Sequence, residues 1–126
     1  MIQSGSRFSF EDLEVWKKAV AYARAVFELV EMIAAERKHY RLLDQLEGSA
    51  ASVASNIAEG KGRYSKKEFV QFLYVARGSL YVSITQLIIL HRNGAIADDD
   101  LDRMKCLGTE IGKMLSSLIS SIRKST

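Results

Sequence analysis

No proline occurs anywhere in the 126 residues. Ordinary usage is roughly 5%, so about six would be expected. Proline removes an amide donor and clashes with the preceding turn, at about 3 kcal/mol inside a helix. A chain without it is free to be helical over long stretches, and it contains no proline-rich linker or polyproline segment. The length suits one domain. The single cysteine, Cys106, cannot close an internal disulfide, which predicts a reducing compartment, with the cytoplasm as the default. No targeting leader is expected, because no basic-plus-apolar start precedes a small-residue cleavage site. The longest strongly apolar stretch, near residues 80–90, is interrupted by Ser83, Thr85 and Gln86, so no membrane span is predicted.

Apolar residues recur with a helical period through the chain. Residues 1–8 read as a flexible tail and residues 9–126 as one helical domain. The run Ser9-Phe10-Glu11-Asp12 predicts a helix start in which Ser9 accepts from the Asp12 amide. Leu13, Trp16, Val20, Ala23, Phe27, Val30 and Ala34 then recur at steps of three and four, a heptad seam assigned to the core. A second series, Val15, Ala19, Tyr22, Val26, Leu29 and Ile33, runs beside it. Together they cover about 200°, twice the arc one bundle core needs. The second stripe therefore calls for a flanking helix or another copy of the chain. The segment from Arg37 to Arg41 reads as a turn, with helix 1 reaching toward Arg37.

In helix 2, Leu43, Leu46, Ala50, Val53 and Ile57 share a face, and the middle, from Gly48 to Ser55, is small-sided. Ser49, Ser52 and Ser55 read there as packing residues, and Gly60 and Gly62 as left-handed caps at its end. Ser65-Lys66-Lys67-Glu68 is a full capping box opening helix 3. Phe69, Phe72, Leu73, Ala76, Leu80, Ile84 and Leu87 point to the core, and Val70, Tyr74, Tyr81 and Ile88 form a second apolar flank. Asn93-Gly94 closes this helix. Asp98-Asp99-Asp100 opens helix 4, whose core series is Leu101, Met104, Gly108, Ile111, Leu115, Leu118 and Ile122. The predicted fold is all-α, an antiparallel up-down-up-down four-helix bundle. Monomers rarely expose large apolar patches. The surplus faces of helices 1 and 3 thus predict a homo-oligomer with Val15, Tyr22, Val26, Leu29, Tyr74 and Tyr81 at its interface.

The formal net charge is only +3, but the predicted topology polarises it. The chain start, the helix 2–3 turn and the chain end share one end of the bundle. Arg7, Lys17, Lys18, Lys61, Arg63, Lys66, Lys67, Arg123 and Lys124 outnumber Glu11, Asp12, Glu14, Glu59 and Glu68 there, while acids prevail at the other end. This marks Lys61, Arg63, Tyr64, Lys66 and Lys67, with Lys17 and Lys18, as a candidate nucleic-acid contact in which Tyr64 stacks on a base. The alternative is a solvated turn whose lysines keep the helix start soluble. Cations at a helix N-terminus oppose its dipole, which favours a purpose for them.

Catalytic constellations do not form. Glu36-x-x-His39 matches half of a di-metal bundle motif, yet His91 has Ile88 three residues before it and no second copy exists. Cys106 has no histidine at a helical neighbour position, and Gly60-x-Gly62 follows no strand. No enzyme, metal or cofactor is predicted. Asn56, beside the Val53–Ile57 face, reads as a register-fixing polar residue, and Glu59 as a partner of Arg63 or a cap. A ligand or partner contact is the alternative for both.

Three stretches carry a family resemblance: Phe10 to Ala19, Ser55-Asn56-Ile57-Ala58-Glu59-Gly60 through Lys67-Glu68-Phe69, and Phe72 to Leu80 with Thr85-Gln86-Leu87. The chain resembles, from about Phe8 to Lys124, the four-helix-bundle proteins encoded in bacterial 23S rRNA intervening sequences. The resemblance implies a bundle that assembles as a ring-shaped homopentamer. It also implies kinship with the retroelement accessory variability protein, which binds a reverse transcriptase and nucleic acid. RNA or a nucleic-acid-processing protein is thus the expected partner besides the chain itself, and a protein scaffold without nucleic-acid affinity is the alternative. No catalytic residues are carried over. Four positions depart from the family pattern: Ala54 and the helix 1–2 turn lack its prolines, Ile84 replaces a glutamate, and Ala97 replaces a capping serine, leaving Asp98 to cap. Helix 2 is accordingly expected to pass Ala54 without a kink.

Overall fold

The structure, a computed structural model, describes residues 6–36 and 39–125. Residues 1–5 of the expected tail, and Arg37 and Lys38 of the expected turn, lie outside the described residues. The described residues form a short 3-10 turn, Ser9–Asp12, and four α-helices: α1 (Glu14–Ala34), α2 (Tyr40–Lys61), α3 (Lys66–Arg92) and α4 (Asp98–Lys124). No strand occurs among them. Each helix packs on the next and α4 returns to α1, while the 3-10 turn packs on α2. Hydrogen-bonded pairs show α2 and α3 running in opposite directions, Ser49 with Gln86 and Ser52 with Ser79. The same holds for α3 and α4, from Lys66 with Ser125 through Arg77 with Ser116 to His91 with Asp98.

The face of α2 is the one its spacing predicts, with Leu43, Leu46, Ala50, Val53 and Ile57 all buried, and the helix passes Ala54 unbroken. Leu101, Met104, Gly108, Ile111 and Leu115 of α4 are buried too, with Ile119 joining them. The reading of α1 needs correction. Its inward stripe is centred on Val15, Ala19, Tyr22, Val26, Leu29 and Ile33; of the other series Ala23 and Val30 are buried as expected, whereas Phe27 is 40% exposed. Val15, Tyr22, Val26 and Leu29 therefore belong to the chain's own core and are not available as an interface between copies. The two series are one residue apart, about 100° of rotation, and periodicity alone does not choose between them. What chooses is Tyr22. Ser83 Oγ donates to Leu80 O at 2.7 Å, so the Tyr22 hydroxyl, 2.7 Å from Ser83 Oγ, is the donor to it.

Helix ends bring further corrections. The chain enters through the 3-10 turn, in which the Phe8 amide donates to Glu11 Oε2 at 2.8 Å, so Ser9 is not the cap expected. α1 begins after Leu13 and ends at Ala34, short of Arg37. Gly62 has φ −82°, so it is not left-handed. Among the described residues, those with positive φ are His39 at 64°, preceding α2, and Gly94 at 81°, the expected stop after α3. Asp98 does not cap α4; its carboxylate lies 2.6 Å from His91 Nε2 and ties the end of α3 to the start of α4. One 18-residue stretch of α3 has a mean hydropathy of 1.4, so by length and composition alone the helix is long and apolar enough to cross a membrane, a test that the core helix of a bundle also passes. Its interrupting polar residues are accommodated by pairing within the fold: Ser83 with Tyr22 and Gln86 with Ser49.

Gly60 is a place of close approach. A Cβ there would stand 2.7 Å from Phe72 Cβ and 2.9 Å from Phe69 Cδ1, whereas a Cβ at Gly48 meets nothing within 4 Å. Gly60→Ala should lower stability by about 1–3 kcal/mol through overpacking, and Gly48→Ala should raise it by about 0.5–1 kcal/mol through backbone entropy; thermal melts read both.

Burial pushes the Tyr22 hydroxyl up to about 12, against the smaller opposing effect of the Ser83 bond. A raised folded-state value means that this stabilisation is complete below pH 10 and is lost as pH rises toward 12. Denaturant titrations between pH 9 and 12 should therefore show a fall in stability that Tyr22→Phe makes shallower.

Candidate nucleic-acid interface

The close approach at Gly60 brings the end of α2 against Phe69 and Phe72 at the start of α3. Residues 62–65 bridge the two helices, and Ser65 Oγ accepts from the Glu68 amide at 3.1 Å, the expected cap. Around this turn the Arg63 guanidinium lies 4.7 Å from the Phe72 ring centre and pairs with Glu59 at 3.1 Å. The Lys61 ammonium lies 6.0 Å from the Phe69 centre. Tyr64 projects into solvent, 103% exposed. Lys66 Nζ donates to the carbonyl and hydroxyl oxygens of Ser125, which brings the chain end to the same place.

The carboxylates divide the candidate cations. Lys17 pairs with Glu14 at 3.2 Å and Lys18 with Glu110 on α4 at 3.3 Å, while Arg63 shares its charge with Glu59. Among the described residues, Lys61, Lys66 and Lys67 have no carboxylate within ion-pair distance. Lys66 and Lys67 occupy the first turn of α3, where the free amides already carry partial positive charge. The charges add there and make a place for an anion. The turn thus brings together Lys61, Arg63, Tyr64, Lys66 and Lys67 and leaves Lys17 and Lys18 engaged elsewhere.

Asn56 Nδ2 donates to Ser52 O and to Ser52 Oγ, both at 2.8 Å, and Ser52 Oγ in turn lies 2.9 Å from Ser79 Oγ of α3. Asn56 thus connects to α3 through Ser52. Ser52 and Ser49 are more than the packing residues that sequence reasoning made them: Ser49 donates to Gln86 Oε1 at 2.7 Å. The sequence reading also missed that Arg77 and Arg123 flank the Tyr74 ring, at 4.9 and 6.0 Å, with Arg123 donating to the Tyr74 hydroxyl at 2.9 Å. The three-residue spacing of Tyr74 and Arg77 was a readable signal. Val75, Val82 and Ile89 were missed as well. They stand exposed at steps of seven on α3, with open space at Gly78 between the first two. Tyr81, an expected interface residue, is 57% exposed, and Tyr74 is partly exposed.

Among the described residues no group of three or more His, Cys, Asp or Glu side chains is placed to hold a metal ion. Cys106 is an exposed free thiol.

Comparison with known proteins follows the same lines. A crystal structure of a protein of unknown function from the S23 ribosomal protein family of Bacteroides thetaiotaomicron is similar, with a TM-score of 0.79 and 26% sequence identity. The match covers 83% of this chain and 97% of that one. No curated protein matches. The model of the 23S rRNA-intervening sequence protein family matches residues 11–117. With a match across most of its length and four helices in place, this chain belongs to the 23S rRNA-intervening sequence protein family.

Proposed function

We propose that this protein is a non-enzymatic, cytoplasmic homo-oligomer, an up-down-up-down four-helix bundle whose basic end binds RNA or a ribonucleoprotein. The observation that carries the reading is the cluster at the α2–α3 turn: Lys61, Lys66 and Lys67 without carboxylate partners among the described residues, beside a fully exposed Tyr64. Attraction to phosphate needs unneutralised cations, and an exposed aromatic ring adds a stacking surface for a base. Titration of labelled structured RNA at rising salt tests it. Binding should weaken steeply with salt, and replacing Lys61, Arg63, Lys66 and Lys67 with Gln together should flatten the log–log slope by about 3. Salt-independent binding, or none at low salt, contradicts the reading.

The oligomer rests on α3. Val75, Val82 and Ile89 form an uncharged outward stripe with the heptad spacing of a helix-packing seam. The pentamer is what the family resemblance implies. Light scattering should then return about 70 kDa, five copies of a 14.1 kDa chain. Val82→Glu should reduce the assembly toward single chains while leaving the helical signal intact. A mass of one chain at all concentrations contradicts the assembly. The same stripe favours the second reading, a protein-interaction scaffold without nucleic-acid affinity. Capture of a protein partner that survives nuclease treatment, together with no RNA binding, would select it.

A further inference from the structure

A cleft follows the seam between α3 and α4, from Thr85 and Lys105 to Lys66 and Lys124. Three depressions succeed one another along it, joined through Ser116, Tyr74 and Arg123, and a fourth lies beside them on α4. The widest is about 920 Å³. Glycines shape that part: Gly108 lets Ile84 approach the α4 backbone, a Cβ there standing 2.9 Å from Ile84 Cδ1, and Gly112 adds no side chain of its own.

The charge of this cleft is one-sided. Lys105 and Lys113 line its upper part, and Arg77 its middle. Lys66, Lys67, Arg123 and Lys124 line its lower part. The chain has 18 Lys and Arg against 15 Asp and Glu, yet among the described residues no carboxylate lines any of the four depressions. Tyr81 forms an exposed aromatic wall, and the Tyr74 ring carries the guanidinium of Arg77 at 4.9 Å. The α4 side offers hydroxyls: Thr109, Ser116, Ser117 and Ser120.

We propose that the α3–α4 cleft is a track for single-stranded RNA, holding the phosphates by its cations and hydroxyls and one base on Tyr81. This deepens the RNA-binding reading above and rests on it, moving the strand from the basic end alone into the cleft that opens from that end. Cations along a groove, with aromatic rings beside them, are what a sequence-tolerant single-strand site requires. Hydroxyls are ordinary donors to phosphate oxygens. A groove between two packed helices, whose axes lie about 8–10 Å apart, is narrower than a duplex, which would rest on its rim. From Lys66 to Thr85 the wall is about 30 Å long at 1.5 Å per residue. An apolar helix face laid in the cleft would leave Lys105, Lys113, Arg77 and Lys124 without a counter-charge, whereas a phosphate backbone supplies one along its length.

The test uses the full chain, a labelled oligouridine of about 12 nucleotides and an RNA duplex, read by fluorescence anisotropy over a salt series. The variants K105Q/K113Q and Y81A change cleft residues, with the light-scattering mass reporting on Tyr81 as an expected interface residue, and K61Q/R63Q touches the basic turn alone. Tyr81→Ala should weaken oligouridine binding about tenfold, and the lysine pair should reduce the salt slope by about 1.4. The duplex should bind less tightly than the single strand, and all variants should keep the wild-type light-scattering mass and helical signal. Wild-type affinity in both cleft variants, with loss in K61Q/R63Q, overturns the cleft and leaves the basic end standing. Cleft variants that change the mass and leave affinity untouched overturn it by making the cleft an interface between copies. Binding of an acidic peptide in preference to the oligouridine overturns it in favour of a protein partner. No RNA binding at low salt removes both readings.

Discussion

The rotation of α3 about its own axis is the constraint on which the rest of the surface depends. Ser79, Ser83 and Gln86 each find a partner on a neighbouring helix: Ser52 and Ser49 on α2, and Tyr22 on α1. A buried hydroxyl left unpaired costs about 1–3 kcal/mol; turning α3 by one residue would incur that at the buried Ser83 and forfeit the part-buried pairings of Ser79 and Gln86 as well. Among the described residues no buried side-chain nitrogen or oxygen lacks a partner. Once these groups face inward, geometry decides what faces out. Val75, Val82 and Ile89 stand in solvent, and Tyr74 and Tyr81 turn toward the α4 side, where depressions open beside them. Exposed apolar surface is thus the counterpart of a satisfied polar interior.

The small residues of α2 are the other half of that arrangement. Ala50, Ser49 and Ser52 let α3 come near enough for hydroxyl-to-hydroxyl bonds, and Gly60 extends the close approach to Phe69 and Phe72. This fixes the direction in which the chain leaves α2, and with it the place of Lys61, Arg63 and Tyr64. The basic turn and the cationic cleft are continuous through Lys66 and Lys67, which serve both. A strand bound at the turn has a charged path to follow, and an assembly through the outward stripe of α3 would repeat that path in each copy.

Much of this was legible in the residues, for reasons that differ by element. The face of α2 could be read because Leu43, Leu46, Ala50, Val53 and Ile57 are its one continuous apolar stripe. The cap at Ser65 could be read because it is local chemistry. The inward face of α1 could not, because two apolar stripes lie side by side and the choice between them rests on a bond from Tyr22 to a residue 61 positions away. Gly60 looks like a helix stop from its neighbours in sequence, and its close approach to Phe72 exists only once the helices pack. The basic turn was visible as a charge cluster, but the pairing of Lys18 with Glu110 of α4 appears only once the helices pack. The cleft joins residues of α3 to residues of α4 about 20 to 60 positions away, and no local pattern announces it.

The locked rotation of α3 is tested most directly by a double-mutant cycle on Ser52 and Ser79, the pair whose hydroxyls lie 2.9 Å apart across the α2–α3 seam. Each serine is changed to alanine singly and together, and unfolding free energies are compared. The account predicts a coupling of about 0.5–1.5 kcal/mol between the two sites. Strictly additive losses would contradict it, since they would mean that the two hydroxyls do not hold α3 in this orientation.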